Sequence, residues 1–216
     1  MQDVQSFSNL ISLGDGIDCW SSKLSSNDTF LVSDLRFLID SKLTTPLPNP
    51  TVWVSLVPIK VIFCVWRACI DRLPSAIALS KRGVPVSNKS CQFCNSGEDN
   101  TDHFLSSCPF AEEILRWIFD WCGLSWQNLH SVNNLIEFAA VWGNCPKKRK
   151  ILLAIFYGYI WGVWKARNDS YFYKIHTTPI KVTDNITTTV FGWVKHRGNF
   201  ANSNWANWIS YPFSIM

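Results

Sequence analysis

Cys91, Cys94, His103 and Cys108 fall within the stretch CQFCNSGEDNTDHFLSSC, residues 91 to 108, in the order Cys-x2-Cys-x8-His-x4-Cys. Two cysteines separated by two residues can grip one metal ion from a tight turn. A histidine and a further cysteine arriving at short range can then close a tetrahedron. Three thiolates and a neutral imidazole suit zinc and fill all four positions. No position is left for water or substrate, which marks a structural rather than a catalytic ion. Gly97 lies in the polar run NSGEDN, which is suited to looping back. Asp102 or Thr101 is expected to cap a short helix that aims His103 inward. Cys108 stands at the cap position of a helix opened by Pro109, where the positive helix end favours a thiolate.

Other chemistries fit the same residues less well. A retroviral-type knuckle has four residues between its second cysteine and its histidine, so the eight here indicate a different module. Zinc deaminases need His-x-Glu ahead of Cys-x-x-Cys, whereas Cys91 and Cys94 precede His103 and Phe-Leu follows it. A Cys108–His103 nucleophile pair would need a thiolate that the metal already uses. Glu112 and Glu113 sit in the first turn of a helix, where their charge favours its positive end without an acid–base role. The chain contains neither G-x-x-x-x-G-K-[ST] nor G-x-G-x-x-G.

The elements that must position these residues read as helices. The 216 residues are 47% hydrophobic and carry twelve Trp and fourteen Phe, enough to bury a sizeable core. In SDLRFLIDSKL, Leu35, Leu38, Ile39 and Leu43 recur at helical spacing after a Ser33 or Asp34 cap. The three prolines of TTPLPNP then stop the helix. Pro58 opens a second helix with Ile59, Ile62, Phe63, Trp66 and Ile70 on one face, and Leu73-Pro74 breaks it. A short helix runs from Pro74 to Arg82 and ends at Gly83. Cys64 and Cys69 belong to this core as small hydrophobes. Pro109 begins a helix that turns Phe110, Ile114, Trp117, Ile118 and Trp121 inward. Further helical runs cover 131–142, 149–174 and 179–197. The apolar run ILLAIFYGYIWGVW, 151–164, is short for a membrane span and reads as a buried helix. The fold class is therefore mainly α: a small helical zinc-binding domain with a three-Cys, one-His site, followed by a C-terminal helical region. The expected organisation is an N-terminal segment with a Pro-rich linker at 1–50, the zinc-binding domain at 51–123 and helices at 124–216.

Residues 53–118 resemble the reverse transcriptase zinc-binding domain found near the C-terminus of plant non-LTR (LINE-type) retrotransposon polyproteins. The resemblance rests on Trp53, Pro58 with Lys60 and Val61, Trp66-Arg67, Leu73-Pro74, Arg82-Gly83, Cys91, Cys94, Glu98, His103, Cys108 and Trp117. Ser75 stands where that family usually has Thr. Similarity extends more weakly over 18–40, where Ser22 replaces a common Trp, and over IWGVWKARNDSYF at 160–172. The resemblance implies zinc on Cys91, Cys94, His103 and Cys108, and a place in a polyprotein whose polymerase domain lies upstream. It supplies no polymerase, endonuclease or RNase H motif within this chain, which is expected to be non-catalytic.

Two functions remain open at this point. In the first, a zinc-stabilised module binds RNA or DNA, with Lys60, Arg67, Arg72, Lys81, Arg82 and Lys89 as contacts, Trp66 and Trp117 as stacking faces, and the reverse transcriptase domain of a related polyprotein as a partner. In the second, the metal only holds a structural or protein-interaction domain together, and KKRK at 147–150 is an ordinary solvated turn rather than a phosphate patch. The net charge of +4 is too mild to decide between them. The N-terminus lacks a basic start and an apolar run, so the expected setting is intracellular and reducing, with thiols rather than disulfides and no membrane. Four Asn-x-Ser/Thr sequons are then chance matches.

Overall fold

The apolar run at 151–164 lies in the middle of the longest helix of the computed structural model, which describes residues 31–43, 52–198 and 203–215. In chain order the helices are α1 (Val32–Leu43), α2 (Ile59–Cys69), α3 (Ala76–Lys81), α4 (Pro109–Trp121), α5 (Val132–Val141), α6 (Pro146–Tyr173), α7 (Pro179–Arg197) and α8 (Trp205–Ser210). A wide helical turn, His103–Ser107, precedes α4, and a 3-10 turn, Pro212–Ile215, follows α8. No strand forms among the described residues; Ser90 and Glu98 make a single antiparallel bridge. The mainly α reading holds.

The chain divides into two compact units, 1–48 and 49–216. In the first, α1 begins at Val32, so Ser33 and Asp34 fall inside its opening turn rather than at its cap. Leu35 and Ile39, which recur at helical spacing, are exposed. In the second unit, residues from 51–123 and from 124–216 share one hydrophobic core.

Ten consecutive residues of α6, Ile151 to Ile160, are buried, as befits a helix that is apolar all round. It packs against α2, α5, α7 and the wide turn. The helix starts three residues earlier than its periodicity suggests, because Pro146 opens it and KKRK forms its first turns. No helix among the described residues is long and apolar enough to cross a membrane.

Two inward faces differ from expectation. On α2 the buried residues are Val61, Ile62, Cys64, Val65 and Ala68, while Ile59, Phe63 and Trp66 are exposed. IKVIFCVWRAC is apolar almost all round, so spacing alone does not choose a side. The small and β-branched residues pack closely, and the large rings face out. On α4, Ile114 and Ile118 are buried as expected together with Ala111, Leu115 and Phe119, whereas Phe110, Trp117 and Trp121 sit at the margin. The Trp121 indole donates to the Trp208 carbonyl at 3.0 Å, and the buried Trp208 indole donates to the Thr187 carbonyl at 3.0 Å. These bonds pin α8 to the bundle. At six residues, α8 is too short to show a period.

Tyr159 joins α6 to the wide turn. Its hydroxyl is buried and donates to the Leu105 carbonyl at 2.7 Å. Tyr159→Phe leaves that carbonyl without its donor in a dry site, at a cost of about 1–3 kcal/mol. Urea denaturation monitored by circular dichroism should give a lower midpoint with an unchanged slope; an unchanged midpoint would contradict this role.

Candidate metal centre

The loop carrying Cys91 and Cys94 is shaped by its backbone. Cys91 N–H donates to the Gly97 carbonyl at 2.7 Å and Asn95 N–H to the Cys91 carbonyl at 3.0 Å, closing a knuckle with Asn95 at φ 58°. Asparagine tolerates that left-handed conformation better than most residues. His103 and Cys108 arrive on the wide turn, where Cys108 N–H donates to the His103 carbonyl at 2.8 Å. This five-residue closure widens the helix by one residue, as π turns at functional sites do. The cap is neither Asp102 nor Thr101: the Asn100 side-chain oxygen accepts from His103 N–H at 2.9 Å. Thr101 instead donates to Asp71 at 2.9 Å, and Asp102 accepts from Val132 N–H at 3.3 Å. Cys108 caps α4, as the Pro109 rule requires.

The four donor atoms lie within 4.8 Å of one another. Cys91 Sγ and Cys108 Sγ are 3.8 Å apart, and Cys94 Sγ is 3.3 Å from His103 Nε2. A tetrahedral ion of zinc's size, with metal–sulfur distances of about 2.3 Å and metal–nitrogen of about 2.0 Å, places two sulfurs about 3.8 Å apart and a sulfur and a nitrogen about 3.5 Å apart. The donor set fits such an ion. With Nε2 facing the centre, Nδ1–H is left for Ser107 Oγ at 3.4 Å, which fixes the ring's orientation.

Gly97 is a steric requirement of the site. A Cβ there would collide with the His103 ring atoms Cε1, Nε2 and Nδ1. Phe93 and Phe110 stack at 4.1 Å between centroids and close the knuckle against α4.

The thiols differ sharply. A hydrogen bond from Cys108 lowers the Cys91 thiol to about 6, while the same contact and burial raise Cys108. Burial pulls Cys94 upward, but hydrogen bonds from Ser96, His103 and the loop backbone bring it below the usual thiol range. Away from the cluster, burial pushes Cys64 up to about 12 and Cys69 up to about 11, as suits core thiols with no metal to meet.

One ion pair that spacing does not reveal holds the loop in place. Asp99 and Arg167, both almost wholly buried, pair through Arg167 Nη2 and Asp99 Oδ2, and Arg167 Nε reaches Oδ1 at 3.1 Å. Asp99 Oδ2 also accepts from Ala76 N–H at 2.7 Å, and the Asp99 carbonyl accepts from Ile77 N–H at 3.2 Å. Asp99 thereby caps α3, alongside Ser75, whose Oγ accepts from Ala78 N–H at 3.2 Å. The guanidinium lies over the Tyr171 ring at 4.5 Å. The only sequence signal was the similarity over 160–172, which contains Arg167.

The six basic residues expected to touch nucleic acid are all exposed. Lys60 and Arg67 lie on α2, Arg72 follows it, Lys81 and Arg82 end α3, and Lys89 leads into the knuckle. They spread over several elements rather than gathering in one pocket.

Residues 30–115 match the family model described as zinc-binding in reverse transcriptase. That segment is a domain of this family. Comparison with curated proteins and with solved structures gave no match. The zinc-binding domain so identified contains all four clustered side chains and excludes Arg167, which braces it from α6.

Cys91→Ser and Cys108→Ser should lose the metal, because a hydroxyl is a poor soft ligand. Cys64→Ser and Cys69→Ser should keep it. Gly97→Ala should lower affinity by at least about 10–100-fold, the usual loss when support of a ligand is removed. Elemental analysis and competition with a chromogenic chelator check all five; retention in Cys91→Ser with loss in Cys64→Ser would overturn the ligand set.

Proposed function

We propose that the chain is a zinc-stabilised, non-catalytic nucleic-acid-binding module of a retrotransposon-type reverse transcriptase polyprotein. Zinc sits on Cys91, Cys94, His103 and Cys108 and holds the knuckle, while the surface beside it engages RNA or DNA alongside the polymerase domain of the same or a related polyprotein.

One observation carries the reading. Three large rings stand in a row on the outside of the domain: Trp53, Phe63 and Trp66 are 65%, 50% and 38% exposed. Neighbouring rings meet edge to face at 6.2 and 6.3 Å. Such rings cost free energy in water unless something covers them, and unpaired bases stack on exposed aromatic faces with little regard for sequence. Lys60 and Arg67 flank the row on α2. Between residues 59 and 89 the chain has six basic residues and one acid, Asp71. This is the polarity a phosphate backbone requires. Trp117, by contrast, is half-buried and a poorer stacking face.

The second reading, a purely structural or protein-interaction domain, draws support from the saturated donor set and the shared core. A filter-binding titration of zinc-loaded protein with single-stranded RNA and DNA separates the two. Trp53→Ala and Phe63→Ala should each weaken binding by about 1–3 kcal/mol, the usual worth of a base stacked on an aromatic ring. Salt-independent binding, or none, would leave the structural reading standing.

A further inference from the structure

The first turns of α6 place four cations, Lys147, Lys148, Arg149 and Lys150, at a helix end that favours acidic residues. Arg149 has a local task, donating from Nε to the Trp142 carbonyl at 3.2 Å and from Nη2 to the Gly143 carbonyl at 2.7 Å. Lys147 and Lys150 have no such task. Both are exposed and form no ion pair among the described residues. They face a surface cavity of about 380 Å³ that they share with Arg197, from the last turn of α7, and with Ser55. Buried Leu56 and Ile151, together with Gly198, complete its lining, which includes no acidic residue. Three like charges from two helices lining one cavity make a local positive field that favours an anion there.

The cavity also adjoins the aromatic row. Trp53 and Ser55 are both exposed on either side of buried Val54, and two residues of extended chain span at most about 7 Å. One strand could therefore lay bases on the rings and a neighbouring stretch of backbone in the cavity. A duplex hides its base faces and could not do the first.

We propose that Lys147, Lys150 and Arg197, with Ser55, form a site for the backbone phosphates of a single-stranded nucleic acid whose bases stack on Trp53, Phe63 and Trp66. The site rests on the nucleic-acid reading above and extends it from the zinc-binding domain to the paired ends of α6 and α7. It binds the phosphodiester, so RNA and DNA both qualify, and sequence is not read there.

The test is fluorescence anisotropy on the full zinc-loaded chain with labelled single-stranded RNA, single-stranded DNA and a duplex, at several salt concentrations. Each phosphate neutralised on a single strand contributes about 0.7 to the slope of log affinity against log salt. Lys147→Gln/Lys150→Gln/Arg197→Gln should bind both single strands more weakly, with the slope shallower by about 2, and Lys147→Gln/Lys150→Gln alone by about 1.4. Both variants alter exposed side chains, and circular dichroism and zinc content confirm their folding. Lys165→Gln/Lys174→Gln/Lys181→Gln removes the same charge from the opposite ends of the two helices and should leave the slope unchanged. If the cavity variants keep the parent slope while Trp53→Ala weakens binding, the phosphate site is wrong and the stacking surface stands. The site is equally refuted if the control triple weakens binding as much as the cavity triple. If the parent binds no probe, both readings fall together.

Discussion

A carboxylate and a guanidinium sealed from water between Asp99 and Arg167 tie the metal-bearing loop to the central helix. A buried ion pair adds little stability over an apolar pair of the same shape, but removing one partner strands the other charge at a cost of about 3–5 kcal/mol. Its effect is positional. Asp99 lies two residues past Gly97, its carboxylate caps α3, and its N–H donates to the Lys89 carbonyl at 2.8 Å. Fixing this one residue fixes both segments entering and leaving the knuckle, and therefore where Cys91 and Cys94 sit. Tyr159, eight residues before Arg167 on the same helix, holds the wide turn that presents His103 and Cys108. Both halves of the ligand set thus hang from one face of α6.

The metal and the core divide the work between them. The knuckle is short, polar and irregular, whereas the wide turn seats Phe104 and Leu105 in the core. The helix that follows is anchored separately, with Phe119 packed 5.7 Å from Phe138 and 5.9 Å from Phe156. A structural zinc contributes roughly 10–16 kcal/mol of apparent binding free energy, comparable to the stability of a whole domain. That energy acts on the knuckle, while aromatic packing acts on the bundle, so the metal fixes the knuckle without being needed to assemble α6 and α7.

Much of this was legible before any coordinates. Proline marked the start of α4 and glycine the end of α3, and the cysteine and histidine spacing picked out the four side chains that converge. The inward face of α2 was not legible, because an all-round apolar helix has no period to read and only packing decides which residues turn out. Asp99 and Arg167 look like any other charges in the sequence; their burial follows from a contact between residues 68 positions apart. The Asn100 cap was obscured by the two equally plausible cap residues that follow it. The cavity shared by the opening of α6 and the last turn of α7 was not legible, because its lining comes from segments far apart in the chain.

Zinc K-edge X-ray absorption on the purified 216-residue chain reads the donor set itself. The expected result is one zinc per chain with three sulfurs at about 2.3 Å and one nitrogen at about 2.0–2.1 Å. A shell of oxygen and nitrogen alone, a fourth sulfur in place of the imidazole, or no bound zinc would contradict it.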